Sequence, residues 1–410
     1  MNKTLRMILI IFAALVLLAC SFGGGFAAGR FLPAETPVTV TPTPSPVDSG
    51  GTGTPADLEA EFASFWEAWN IVHQQYFIQP LDDISLVDGA IRGMVEALPD
   101  DHSGYMDPVE TNEANTQMSG EYDGIGAWVD TEAELLTIIR PMPDSPAEEA
   151  GLLPGDQIIA IDGEDVVGMD PALVRLKVLG PAGTTVLLTI LRPGVDEPFD
   201  VPVTRAHIVV PSAEGKMLDS GIAYVSVSIF GESTGSELHI ILADLLAQNP
   251  KGIILDLRNN TGGYTSTAIQ IASEFIGEGV IWYEEYGDGS RYEHEAISGG
   301  LATAGDLPLV VLVNEWTASA SEMVAGAVQD YGRGTLVGVL TYGKGSVQNW
   351  VPLSNGGMVR VTIAQWLTPN GRTIHEIGLT PDVVVERTLE DYEAELDPQL
   401  DAAVNLLLNP

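Results

Sequence analysis

A mixed α/β fold is what this sequence of 410 residues predicts, and three observations carry the prediction. From Gly221 onward, apolar runs of strand length alternate with stretches of helical spacing, as in an α/β core. Between Gly120 and about Arg205, short strand-like runs crowd between turn residues, which reads as a compact β-rich module. Ahead of both, Asp57 to Met118 reads as helix. The length leaves room for two or three domains.

Residues 1–30 read as a signal or membrane anchor. Lys3 and Arg6 precede an uncharged stretch from Met7 to Gly29. At about 1.5 Å per helical residue, that stretch spans a bilayer core of roughly 30 Å. Positive charges ahead of it place the amino terminus in the cytoplasm and the remainder on the outer face of the cell membrane or in the periplasm. An uncleaved anchor is the expectation, because apolar character continues past Cys20 through Phe22 and Phe26. The alternative is a lipobox, Leu17-Leu18-Ala19-Cys20, with the signal cleaved and Cys20 lipidated.

Residues 31–56 are rich in Pro, Thr, Ser and Gly, as in an extended tether. In the helical region, 57–118, Leu58, Phe62, Phe65, Trp66, Trp69 and Val72 fall near three-four spacing and are expected to be core. The β-rich module, 119–206, has strand-like runs at Gly124–Val129, Leu135–Arg140, Gln157–Ile161, Thr184–Arg192 and Phe199–Val203. One helix is expected inside it, with Asp170 as cap, Pro171 in the first turn and Gly180 closing it. The α/β core, 207–390, alternates Ile222–Phe230, Glu237–Ala247, Gly252–Asp256 and Thr265–Ile276. An irregular acidic stretch follows, then Leu309–Val313, a helix after Ser319, Thr335–Val339 and Met358–Trp366. Residues 391–410 end in a short amphipathic helix, Leu400–Leu408.

Acidic residues outnumber basic ones 57 to 18, a formal charge of −39, so a phosphate backbone would be repelled and nucleic-acid binding is excluded. Cys20 is the lone cysteine, which rules out an intrachain disulfide. The six histidines (His73, His102, His207, His239, His294, His375) show no ligand spacing. No metal and no organic cofactor is expected.

The chemistry is carried by a serine and a lysine. Ser319 lies in Thr317-Ala318-Ser319-Ala320-Ser321-Glu322, between an apolar run and a helix start. Lys344 follows twenty-five residues later, between Gly343 and Gly345. A hydroxyl and a lysine make a nucleophile and base with no histidine needed, provided the amine is neutral. Lowering a lysine from about 10.4 to near 7 takes about 4 kcal/mol against the charged form, which burial without a paired carboxylate supplies. Two other motifs compete. Gly231-Glu232-Ser233-Thr234-Gly235 fits a nucleophile elbow, with His375 later in the chain. Gly338 to Lys344 nearly fits a phosphate loop but has Gly345 where a Ser or Thr would bind magnesium, so it is rejected.

Further blocks accompany the serine and lysine in a fixed order: Leu255-Asp256-Leu257-Arg258-Asn259-Asn260-Thr261-Gly262-Gly263, Ala325-Gly326-Ala327, Gly343 to Gln348, Leu367 to Arg372, and Gly378 to Asp382. From about Phe62 to Val385 the chain resembles the carboxyl-terminal processing peptidases, or tail-specific proteases, which are PDZ-bearing serine/lysine endopeptidases. The resemblance implies a crotonase-like α/β protease core with a PDZ domain and an amino-terminal helical segment. It implies Ser319 as nucleophile over Thr317 and Ser321, Lys344 as base, and Gln348 orienting the lysine by a hydrogen bond. The oxyanion hole would be the amides of Ala320 and Gly263, or failing that Gly262. Asn259, Asn260 and Glu322 would hold the loops. In the PDZ domain, loop amides near Gly124, Ile125 and Gly126 would hold the carboxylate of a protein or peptide substrate with a free, apolar carboxyl end. One position departs from the pattern: Leu179 stands where the family usually carries an arginine linked to coupling, with Arg175 and Lys177 as possible substitutes. The alternatives are a non-catalytic PDZ scaffold on a protease-like core and a Ser233-based esterase.

Overall fold

The computed structural model describes residues 58–305 and 307–409. The expected anchor, Cys20 and the tether over 31–56 lie outside the described residues. The chain divides into two units, one ending at Asp82 and one beginning at Asp83.

In the first unit the described element is a helix, Glu59–Gln75. Its aromatic side chains contact one another along one stripe, Phe65 against Trp69 at 6.4 Å and Trp69 on His73 at 4.7 Å between ring centroids. The expected core role does not hold, since no residue of the helix is buried and Trp66 is 51% exposed. The spacing is right for a buried face, but among the described residues of this unit no second element covers it.

The second unit opens with helices Asp83–Glu96 and Pro108–Ser119. Asp107 and Glu110 close a capping box around Pro108 at the start of the latter. Continuous helix was the expectation here. Instead the chain breaks after Glu96, and Gly104–Met106 adds as an antiparallel strand to Met358–Leu367.

The β-rich module is an antiparallel sheet in the order Ala127–Asp130, Thr137–Pro141, Gln157–Ile161, Thr185–Leu191 and Phe199–Thr204. Alternate residues Val186, Leu188 and Ile190 point into a core shared with Ile138, Ile158 and Val174. The helix Pro171–Val178 forms as expected, the Asp170 carboxylate accepting from Ala172 N. Ala127–Asp130 stands at the edge, with no strand beyond it among the described residues. The expected single run through 124–129 is two strands, because Gly126 turns the chain at φ +73°.

The α/β core holds six strands in the order Ala213–Met217, Ala223–Val227, Ile253–Asp256, Leu309–Val313, Thr335–Gly338 and Val383–Val384. All but the first run parallel. Every residue of Leu309–Val313 is buried, as a strand covered on both faces requires. On one face Ile253, Leu255, Leu309, Val311 and Val313 pack in a cluster with residues of helices Thr234–Leu246, Thr265–Ser273 and Ala320–Asp330. On the other, Ile254, Val310 and Leu312 meet Ala403 and Leu407 of helix Pro398–Leu408. A second sheet joins Gly104–Met106, Met358–Leu367, Val280–Tyr286 and Arg291–Glu295, with Ser346–Pro352 also paired to Met358–Leu367. The acidic stretch expected to be irregular therefore contains a hairpin.

Candidate active site

Parallel strands place their loops at one end of a sheet, and the loops after Asp256 and Val313 leave neighbouring strands at their carboxyl ends. Side-chain hydrogen bonds lace the two together. Asn314 Oδ1 accepts from Asn259 N at 2.9 Å, Thr317 Oγ1 donates to Leu257 O at 2.8 Å, and Ser321 Oγ donates to Asn260 O at 2.9 Å. Asn259 and Asn260 thus hold the loops, as expected. The hydroxyls of Thr317 and Ser321 are both engaged with carbonyls.

Ser319 sits between them, immediately ahead of helix Ala320–Asp330, at φ 57° and ψ −117°. A non-glycine residue in that region is strained by about 1–3 kcal/mol and persists only where its surroundings over-determine it. Gly262 is part of those surroundings: its backbone runs so close that a Cβ there would lie 2.8 Å from Ala318 O and 3.0 Å from Ala320 N. The Gly262 amide donates to Asn260 Oδ1 at 2.9 Å, whereas the amides of Gly263 and Ala320 have no acceptor among the described residues. Ala320 is the first residue of its helix, where an N–H has no intrahelical partner. Between the two glycines of the loop, Gly263 is therefore the one with an available donor.

Lys344 lies in the loop between Thr335–Gly338 and Ser346–Pro352. Main chain closes on it from both sides. A Cβ on Gly343 would meet Gly378 N at 2.7 Å, and one on Gly345 would meet His375 N at 2.7 Å. Trp366 Nε1 donates to Lys344 O at 2.9 Å. Burial first, and then the positive charge of Arg360, lower the Lys344 amine to about 8, while Glu322 and Asp100 pull it back up. His102 shares this neighbourhood, its ring 6.0 Å from that of His375. Its pKa is lowered by burial and then by Lys344. Nothing in the sequence singles out Asp100, His102 or Arg360, since the folded chain brings them here from distant segments.

Gln348 lies on strand Ser346–Pro352, where its Nε2 donates to Ser346 Oγ at 2.8 Å and Thr362 Oγ1 at 3.1 Å. Among the described residues, Lys344 Nζ makes no hydrogen bond to Gln348 or to Ser319. Catalytic contacts of this kind often tighten only when substrate is bound. Glu322, expected only to hold a loop, is fully buried and accepts hydrogen bonds from the segments carrying both Ser319 and Lys344.

The competing elbow does not assemble. Ser233 Oγ donates to Glu237 Oε1 at 2.5 Å, and His375 lies beside Gly345 instead.

A second concavity, of about 680 Å³, lies beside the β-rich module. Ile125, Ala127, Leu136, Ile158, Val178 and Leu179 give it an apolar lining. It follows the open edge strand and the helix Pro171–Val178, and the amides of Ile125, which lines it, and of the next residue, Gly126, have no acceptor among the described residues. Arg175 of that helix pairs with Glu113.

Three families of known proteins match parts of the chain. A profile described as peptidase family S41 matches residues 221–385, one described as a PDZ domain matches 137–192, and one for the amino-terminal domain of the activating protease CtpB matches 18–111. A carboxy-terminal-processing protease of Bartonella bacilliformis is 37% identical over 379 residues, covering 89% of this chain and 83% of its own. The carboxy-terminal processing protease CtpA of Bacillus subtilis is 38% identical over 345 residues, covering 84% and 72%. A solved photosystem II D1 C-terminal processing protease aligns over 85% of this chain and 97% of its own, at 28% identity and a TM-score of 0.47.

Proposed function

Because the chain belongs to the carboxy-terminal-processing proteases, serine-type peptidases that act on proteins, we propose that it cuts substrates near their carboxyl ends with a Ser319/Lys344 dyad. One observation carries this reading: of the three hydroxyls in Thr317–Ser321, only that of Ser319 is not committed to a carbonyl, and the next amide along the chain, that of Ala320, has no acceptor among the described residues. The neutral Lys344 amine takes the proton as Ser319 Oγ attacks the scissile carbonyl. The amides of Gly263 and Ala320 receive the developing oxyanion, an arrangement in which losing a single donor costs about 100-fold or more. Lys344 then returns the proton to the leaving amine. In the second half it activates the water that releases the acyl group. Gln348 positions the lysine once substrate is bound.

The PDZ groove captures the substrate tail by strand addition along Ala127–Asp130, with the terminal carboxylate on the amides of Ile125 and Gly126 beside Gly124. Its apolar lining favours an apolar last residue. Residues 1–30 tether the enzyme to a membrane, with catalysis on the outer face.

Ser319→Ala, Lys344→Ala and Ser233→Ala, assayed on an unfolded protein and on a p-nitrophenyl ester, test the dyad. The first two lose proteolysis and the third keeps it. Loss through Ser233→Ala alone would overturn the assignment, and an inert wild type would favour a scaffold. A tail peptide that binds equally well with its carboxylate amidated would remove the PDZ reading. Recovery of the full chain in the soluble cytoplasmic fraction would remove the membrane reading.

A further inference from the structure

A glutamate three residues into a helix ordinarily reaches back to one amide, that of the residue before the helix. Glu322 does this, its Oε2 accepting from Ser319 N at 2.8 Å. The same oxygen also accepts from Lys344 N at 3.0 Å. Its other oxygen, Oε1, takes Gly343 N at 2.7 Å and Thr341 Oγ1 at 2.6 Å. Thr341 is itself fixed from behind, accepting from Leu379 N at 2.7 Å. One carboxylate oxygen thus joins the main chain of two residues twenty-five positions apart.

We infer that Glu322 is the positioning residue of the dyad: it holds the backbone of the nucleophile and of the base within two hydrogen-bond lengths of each other. The inference rests on the Ser319/Lys344 reading and deepens it. A cap alone would need only the Ser319 amide. The extra bonds reach across to the lysine loop, which no helix requires. Four donors on a fully buried carboxylate also account for a charge that would otherwise be costly to keep there. Burial pushes the Glu322 carboxyl up, while Thr341 and the amides of Gly343, Ser319 and Lys344 draw it down. Because its charge also acts on Lys344, alongside Arg360 and Asp100, its removal has an electrostatic signature beyond any loss of fit.

Glu322→Gln is the direct test. The amide nitrogen would face N–H donors on one side or the other, so one of the two segments comes loose. Misplacement on the order of 1 Å costs about 100-fold, so kcat should fall by about that factor while KM changes little. The acid limb of kcat/KM should also move to lower pH, since a negative charge that raises Lys344 is gone and Arg360, the neighbouring His102 and His375 remain. A kcat near wild type, a loss that follows KM, or an unmoved limb would each overturn the inference. Thr341→Val and Thr341→Ser cover a Glu322 variant that fails to fold. The valine loosens the carboxylate without touching either dyad amide, so kcat drops, and the serine restores it. Equal kcat in both would also defeat the inference. Ser319→Ala and Lys344→Ala run alongside: if either keeps proteolysis, the dyad itself is wrong, whereas their loss with an unimpaired Glu322→Gln removes only the role of Glu322.

Discussion

Gly262 lies so close against Ser319 that a Cβ at 262 would stand 2.9 Å from the serine's own Cβ. The loop after Asp256 therefore fixes the serine by contact as well as by hydrogen bonds. Gly262 also holds φ +100°, a conformation that side chains rarely adopt. We expect Gly262→Ala to cost about 1–3 kcal/mol from overpacking and strain. It should lower kcat by more than the melting temperature alone explains. Thermal melts beside kcat measure both, and an alanine variant with wild-type kcat would show that the contact is not needed.

Activity should climb with pH. Only the neutral amine of Lys344 accepts a proton, and that amine is lowered to about 8. Below that value kcat/KM should rise about tenfold per pH unit, and above it the profile should flatten. Arg360 helps lower the lysine, so Arg360→Gln should move the acid limb to higher pH, opposite to the shift expected for Glu322→Gln. A profile flat from pH 6 to 9 would contradict a lysine base.

Tail binding should stimulate this enzyme weakly. Leu179 lines the groove where the family pattern has an arginine, and Arg175 is already paired with Glu113. A saturating carboxyl-terminal peptide should therefore raise turnover of an unrelated reporter less than in arginine-bearing relatives. Equal stimulation would show that another residue carries the coupling.

Acid should loosen the last helix. Burial raises the Asp397 carboxyl, but hydrogen bonds from Arg258 and Leu400 N outweigh it and leave its pKa below the usual carboxylate range. A depressed carboxylate contributes stability above its unfolded pKa and loses it as pH falls through the folded value. Arg258 also binds Asp256, so its guanidinium ties the active-site loop to helix Pro398–Leu408. Asp397→Ala should cost about 1–2 kcal/mol at neutral pH, since it removes the side-chain cap of that helix and one of the two carboxylates on Arg258. That penalty should shrink in acid, and melts at pH 7 and pH 3 read the difference.

Much of the fold was legible because its signals are local. Leu309–Val313 reads as a buried strand from five apolar residues in a row, and Asp170-Pro171 marks a helix start by cap chemistry alone. Ser319 and Lys344 stand out for the same reason, one at a helix start and one between glycines. Strand Ser346–Pro352 does not, because Ser, Gln and Asn interrupt any apolar alternation and its pairing with Met358–Leu367 holds it in place. The hairpin Val280–Tyr286 with Arg291–Glu295 was hidden by its charged, exposed second strand. The choice of Gly263 over Gly262 depends on which amide Asn260 occupies, a contact no spacing encodes. The aromatic stripe of Glu59–Gln75 is the reverse case, a clear pattern without a covering partner among the described residues of its unit.

The strand Ala127–Asp130 ends its sheet among the described residues, and on most proteins such a margin invites identical molecules to zip together. Here every molecule carries a formal charge of −39, so copies meeting edge to edge repel one another. The surplus of carboxylates thereby opposes that zipping.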